Sequence, residues 1–266
     1  MAAFIGIGGV HAQTVTPDST GMTMTAHDFT KSVVMGWNLG NALESAGANW
    51  NKTTQKWEKA WVSNLNEWET GWGNPKTTKA MLQAVKNAGF NAIRVPVRWV
   101  PHVTDNTTMA VDPIWMARVK QVVDWAIEDG YYVILNEHHS VRDKMSNPIK
   151  YGEGYIVRNN EQDIKESKAF LKAIWTQIAT AFNGSYDEHL IFEFMNEPSN
   201  VGHNHEWNPG LVTAYADYST CEECIADYKI LNGYNQICLD AIRSTGGNNA
   251  KRFLIVPGLC EQEEPL

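Results

Sequence analysis

The segment Asn196-Glu197-Pro198 closes an apolar run, Leu190 to Met195, with an amide and an acid. A glutamic acid desolvated at a strand end beside a neutral amide has its pKa raised and can donate a proton. Protonating the leaving oxygen of a glycosidic bond is one use for such a group. That chemistry also needs a second carboxylate as nucleophile or base, about 5 Å away for retention and further for inversion. Other segments end in groups that suit the same task. "KSVVMGWNLGN" delivers Asn38, then Gly40-Asn41. "NAIRVPV" carries Arg94, with Arg98 and Trp99 just beyond it. "YYVILN" runs into Glu137-His138-His139. Arg94, permanently charged, keeps a neighbouring carboxylate ionised. His138 and His139 can hydrogen-bond substrate hydroxyls, and Asn196 can hold one through a transition state. Blander readings stand beside these: Arg94 pairing a structural acid, Glu197 as a loop acid. Adjacent histidines rarely chelate one ion alone, and no third ligand is evident, so no metal is expected at His138-His139.

Alternating short apolar runs and helical patterns position these groups. Strands are expected over Val33 to Trp37, Ala92 to Val97, Tyr131 to Asn136, Leu190 to Met195 and Arg252 to Val256. Between them, "TKAMLQAVKNAG" has helical apolar spacing and stops at Gly89. Asp112 caps a second helix, Pro113 takes its first turn, and Gly130 ends it. "EQDIKESKAFLKAIWTQIATAF" and "IADYKILNGYNQICLDAIRSTGG" read as two more. Strands alternating with helices imply parallel pairing and right-handed crossovers. The long polar stretches all follow strands, at residues 38 to 74, 137 to 162 and 198 to 225. That asymmetry favours an α/β fold of the TIM (β/α)8 barrel type, in which those loops build one mouth. No G-x-G-x-x-G follows the first strand, which weakens a dinucleotide-binding alternative.

Composition narrows the partners. The 266 residues carry a net charge of −8, with 43% hydrophobic and 20% charged residues, so the chain is globular and a nucleic-acid partner is disfavoured. Eleven tryptophans is a high count. Most are core, but Trp50, Trp57, Trp61, Trp68 and Trp72 fall in a polar stretch where an aromatic face could pack on a sugar ring. Trp72 and Trp207 are the candidate sugar platforms. No stretch reaches the roughly 18 apolar residues of a membrane span. Residues 1–26 read as a leader, with Val10-His11-Ala12 resembling the end of a signal peptide. The cysteines, Cys221, Cys224, Cys238 and Cys260, fall late. Cys221-Glu222-Glu223-Cys224 is placed in a loop, where an incidental or disulfide role is expected, because zinc would need four convergent ligands.

Taken in order, "GWNLGNALE", "WGNP", "GFNAIRVPVRW", "YYVILNEHH", "LIFEFMNEP" and "RFLIVPG" resemble glycoside hydrolase family 5, cellulase-type branch, over residues 27–266. The resemblance implies a retaining barrel glycosidase with Glu197 as acid/base, Asn196 as its partner, and Arg94 and His138 in the site; Asn38 and His139, read from the strand ends, are expected to bind substrate. It implies a β-1,4-glucan or related hemicellulose as substrate, no cofactor, and secretion. Two residues depart from the family's pattern: Glu137 stands where an uncharged residue is usual, and Phe194 is bulkier than usual.

The family's nucleophile is a Glu ending the seventh strand, and only five strands are recognised here. Glu261, Glu263 and Glu264 follow the fifth strand, the wrong place for a substitute. The expectation is therefore an incomplete barrel that lacks its nucleophile, is inactive by itself, and is open to self-association through sheet edges. "EQEEPL" reads as a truncation or frameshift end. Three competing readings stay open: a non-catalytic saccharide-binding remnant, a xyloglucanase or mannanase, and a structural α/β protein without ligand.

Overall fold

Parallel pairing in chain order governs the architecture. The computed structural model describes residues 22–45, 48–51, 53, 56–59, 65–138, 140, 154–203, 205–206 and 221–261. The elements, in order, are α1 (Ala26–Ser32), β1 (Gly36–Asn38), β2 (Ala48–Asn51), β3 (Lys56–Lys59), α2 (Leu65–Thr70), α3 (Lys79–Asn87) and β4 (Ala92–Val95). There follow β5 (Val103–Asp105), β6 (Ala110–Val111), α4 (Pro113–Glu128), β7 (Tyr132–Asn136), α5 (Glu161–Ala181), β8 (Leu190–Glu193), α6 (Glu222–Ser244) and β9 (Leu254–Ile255). The sheet order is β1-β4-β7-β8-β9, every neighbouring pair parallel. This is the wall of a (β/α) barrel, incomplete, with five strands among the described residues. The leader reading falls mostly on residues 1–21, outside the described residues.

The strands are shorter than the apolar runs suggested. Val34 and Met35 are exposed and precede β1. Their backbone N–H groups donate to the Asn91 side chain instead of a ladder (2.9 and 3.1 Å). β4 stops at Val95, because the Val97 N–H turns to the Asn136 side chain (3.2 Å). Two antiparallel hairpins, β2–β3 and β5–β6, interrupt stretches read as loop. β2 and β3 are polar and Trp-bearing with no β-branched residue, and β5 and β6, three and two residues long, are too short for period-two alternation to show.

The helices follow their caps. Thr78, Asp112 and Asn160 cap α3, α4 and α5 through their side chains. Gly130 leaves α4 at φ +72°, a left-handed position that favours glycine. The core packs α4, α5 and α6 against the sheet through Trp115, Phe170, Trp175, Phe192 and Tyr234, all fully buried. Arg252 is also fully buried. Its guanidinium donates to the carbonyls of Leu190 (2.8 Å), Tyr186 (2.8 Å) and Asp187 (3.0 Å) and to Asn249 Oδ1 (2.6 Å), so it pins the α5–β8 turn to β9. Asn160→Ala is expected to remove the bond from the Asp163 N–H and cost about 1 kcal/mol, lowering Tm by roughly 3 °C in a thermal melt.

Candidate active site

The strand ends converge on a single ion pair. Strand alternation places Glu193 of β8, Arg94 of β4 and Asn136 of β7 on the same side of the sheet. Arg94 grips Glu193 with a forked contact, Nε to Oε2 at 2.7 Å and Nη2 to Oε1. Such a two-point, charge-assisted pair fixes orientation as well as energy. The Arg94 guanidinium has only donors, so the Asn196 atom facing it at 2.7 Å is Oδ1. The Asn196 amide is thereby turned with its NH2 group as the remaining donor. Asn38, in register with Arg94, accepts from it at the limit of hydrogen-bond distance (3.5 Å).

Asn136 fixes His138 in the same way. Its Oδ1 accepts from Val97 N–H, so its NH2 donates, to Glu193 Oε1 (3.2 Å) and towards His138 Nδ1 (3.1 Å). His138 Nδ1 is therefore the acceptor nitrogen, and Nε2 carries the hydrogen. His138 itself is buried. Asn38, Arg94, His138 and Asn196 are thus brought together, as the sequence suggested. Glu193 was missed. Its signal was an acid in the middle of the run "LIFEFM", on the face that alternation points inward.

Glu197 follows directly, but it is exposed rather than desolvated, contrary to the sequence reading. Its φ of +44° is left-handed, unusual for any residue with a side chain and more so before proline. Hydrogen bonds on both sides hold this turn: Asn196 N–H to Glu137 carbonyl (3.0 Å) and Cys260 N–H to Pro198 carbonyl (2.8 Å). The turn swings the Glu197 carboxyl clear of the apolar layer below it, where Phe194 packs edge-on against Trp175.

On the other flank, Glu44 is buried and accepts from the Asn41 and Ala42 N–H groups. Burial raises its pKa, while those backbone bonds and Arg98 oppose the rise. Arg98 donates to the Glu44 carbonyl (2.9 Å) and lies 5.9 Å from the Trp72 ring. Trp72 is half-buried, its face partly engaged by this cation. Burial draws the Arg98 pKa down to about 10, against the pull of Glu137 and Glu44. Glu137 is fully buried, and neither carboxylate oxygen has a hydrogen-bond partner among the described residues. Burial pushes it up to about 8, only partly opposed by Ser140 and Arg98. Behind it, Gly154 lies so close to the Ser140 carbonyl that a Cβ there would sit 1.8 Å from the oxygen. The Ser140 loop is thus packed against the backbone at Gly154. His139 and Trp207 lie outside the described residues.

For the cysteines, the incidental role fits and the disulfide alternative and the loop placement do not. All four are thiols. Cys221 is the N-cap of α6 and Cys224 lies in its first turn, not in a loop. Arg94→Met is expected to leave Glu193 buried with only Asn136 to meet it. The cost is about 3 kcal/mol, readable as a lowered urea midpoint, whereas Arg94→Lys should lose less.

Among the described residues no helix is long and apolar enough to cross a membrane. The family profile "Cellulase (glycosyl hydrolase family 5)" matches residues 50–264. Endoglucanase A of Ruminococcus albus is 38% identical over 234 residues, which are 88% of this chain and 52% of the relative. A broad-specificity GH5-4 endoglucanase of Ruminococcus champanellensis, solved with bound cellotriose, is 38% identical with a TM-score of 0.70, covering 92% of this chain and 60% of that one. A Caldicellulosiruptor sp. F32 lichenase in complex with cellotetraose is 35% identical with a TM-score of 0.73, covering 97% and 59%. The chain spans about half the length of that Ruminococcus albus relative. The strand-end constellation, the barrel wall and these likenesses agree: the chain belongs to glycosyl hydrolase family 5.

Proposed function

We propose that this chain is part of a retaining endo-β-1,4-glucanase, with Glu197 as general acid/base. The observation that carries the reading is the Arg94–Glu193 pair. It orients Asn196 and, through it, the turn that presents Glu197 at the mouth of the strands. Glu197 protonates the leaving oxygen and later draws a proton from water. The Asn196 NH2 and the His138 Nε2–H are donors for sugar hydroxyls. Trp72 is a platform for a pyranose face. The second carboxylate of the double displacement comes from outside these 266 residues. No cofactor enters the scheme.

The substrate class is a β-glucan, which the cello-oligosaccharides in the related structures support. Secretion follows from a polymeric substrate that does not enter cells. The exposed Val34, Ile255 and Val256 flank the outer strands and favour association of the isolated chain through its edges. A saccharide-binding role without catalysis is the second reading, because among the described carboxylates argued for the site Glu197 is exposed while Glu44, Glu137 and Glu193 are buried. Titration with cellotetraose, followed by tryptophan fluorescence, tests the shared core of both readings. Saturable quenching at millimolar sugar, weakened at least about fivefold in Asn196→Ala, is expected. No response at millimolar sugar would overturn it.

A further inference from the structure

A second constellation lies beyond the catalytic residues, where the segment after Glu197 meets the start of α6. His203, His205 and Cys224 each offer a ligand atom, and these atoms lie within 4.8 Å of one another. His205 Nδ1 is 3.2 Å from Cys224 Sγ and 3.3 Å from Cys221 Sγ, which brings in the other cysteine of the C-x-x-C pair. We propose that His203, His205, Cys221 and Cys224 form a binding site for a zinc-like divalent ion that fastens the segment after Glu197 to α6.

Several features support a built site. Zinc bonds of about 2.0 Å to nitrogen and 2.3 Å to sulfur place tetrahedral N and S ligands about 3.5 Å apart, close to the separations here. Two thiols and two imidazoles form the borderline-soft set that favours zinc over calcium or magnesium. The Cys224 N–H already donates to Cys221 Sγ (3.2 Å), and the helix N-terminus stabilises the thiolates that binding creates. Glu223 holds His203 Nε2, which leaves Nδ1 as the lone-pair nitrogen; a carboxylate behind a ligand histidine fixes orientation in this way. That Nδ1 meets the His205 N–H only at 3.3 Å, a long contact that can yield to an ion. A cavity of about 600 Å³, lined by Asn200, His203, Glu222, Glu223 and Asp227 among others, adjoins the cluster at His203. On binding, two thiol protons leave and the ion takes their place.

The site is linked to the catalytic turn. Pro198 accepts from Cys260 N–H, Asn200 donates to Asp227 of α6 (2.9 Å), and the histidines follow within a few residues. An ion here ties residues 203 and 205 to the start of α6, so it limits how far the segment that begins at Glu197 can move.

The test uses the reduced full chain. Zinc chloride is added, excess is removed by gel filtration, and bound metal is measured by mass spectrometry. Cobalt substitution then reports the ligands. About one zinc per chain is expected. The cobalt form should show the intense visible bands of a tetrahedral ion and a thiolate charge-transfer band. Cys224→Ser should lose about half of the charge-transfer intensity, since one of two thiolates is removed. His205→Gln, at a half-buried position, should weaken binding at least about tenfold while leaving the circular dichroism intact. Cys238→Ser, in α6 but apart from the cluster, should bind as the parent does. Bound zinc below about 0.1 per chain, or binding unchanged in both His205→Gln and Cys224→Ser, would overturn the proposal.

Discussion

Purified chain of these 266 residues is expected to release no reducing sugar above background from carboxymethylcellulose, xyloglucan or lichenan. Double displacement needs a carboxylate on the sugar face opposite the acid, about 5 Å from it. Two buried carboxylates of the described site, Glu193 and Glu137, are not free for that role. Glu193 is committed to Arg94 through both oxygens and to Asn136. Glu137 lies wholly beneath the surface. Glu263 and Glu264 lie outside the described residues. On the proposed reading, a chain without the nucleophile keeps binding and acid catalysis, so the rate should fall at least about 10³-fold below that of a complete family member assayed alongside. Cellotetraose binding should survive, which separates a missing group from a misfolded site. Hydrolysis within tenfold of the complete enzyme would show that one of these acids serves as nucleophile, and Glu137→Gln and Glu193→Gln would then identify it.

Glu137→Gln is expected to stabilise the fold in a pH-dependent way. The carboxyl is raised from 4.5 to about 8 by burial. Below pH 4 the folded and unfolded chains both hold the proton, and the shift costs nothing. Between about pH 4.5 and 8 the unfolded chain gives up the proton while the folded chain keeps it bound. Stability therefore falls as pH rises, and levels off once folded Glu137 also ionises. The full span is about 5 kcal/mol, taken at 1.36 kcal/mol per unit. Glutamine cannot ionise, so the variant should match the parent near pH 4 and melt roughly 10 °C higher near pH 8.5. Parallel Tm–pH curves for the two proteins would show that the buried acid is solvated or paired.

The order of strands and the convergence of Asn38, Arg94, His138 and Asn196 were legible because each follows from local pattern. An apolar run ends, a polar residue follows, and the barrel supplies the convergence. Glu193 was not legible by that rule, since it lies within a run rather than at its end. Only strand alternation, applied residue by residue, exposes it as the partner of Arg94. The first turn of α6 was hidden for another reason. Cys221-Glu222-Glu223-Cys224 lacks helical apolar spacing, yet acids in a first turn suit the positive end of a helix. The His205 contact with those cysteines is tertiary, and no spacing rule links residues so far apart in the sequence. The exposure of Glu197 depends on a left-handed turn that its type does not favour, so sequence pattern alone predicted the opposite.

The sheet order β1-β4-β7-β8-β9 also bears on how the chain reaches this state. Each strand pairs with the sheet strand made just before it, across one helix-bearing crossover. Loop-closure entropy is thus met in short instalments, and no pairing must wait for a distant segment. On a ribosome, β4 can dock on β1 while α4 is still being made, and β8 can dock on β7 before β9 emerges. The Arg94–Glu193 pair cannot close until β8 arrives. Arg94 therefore spends synthesis from residue 94 to residue 193 without that partner, roughly 5–20 s at the usual elongation rates. During that interval a growing edge of unpaired backbone is the species most open to capture by a chaperone or a second chain.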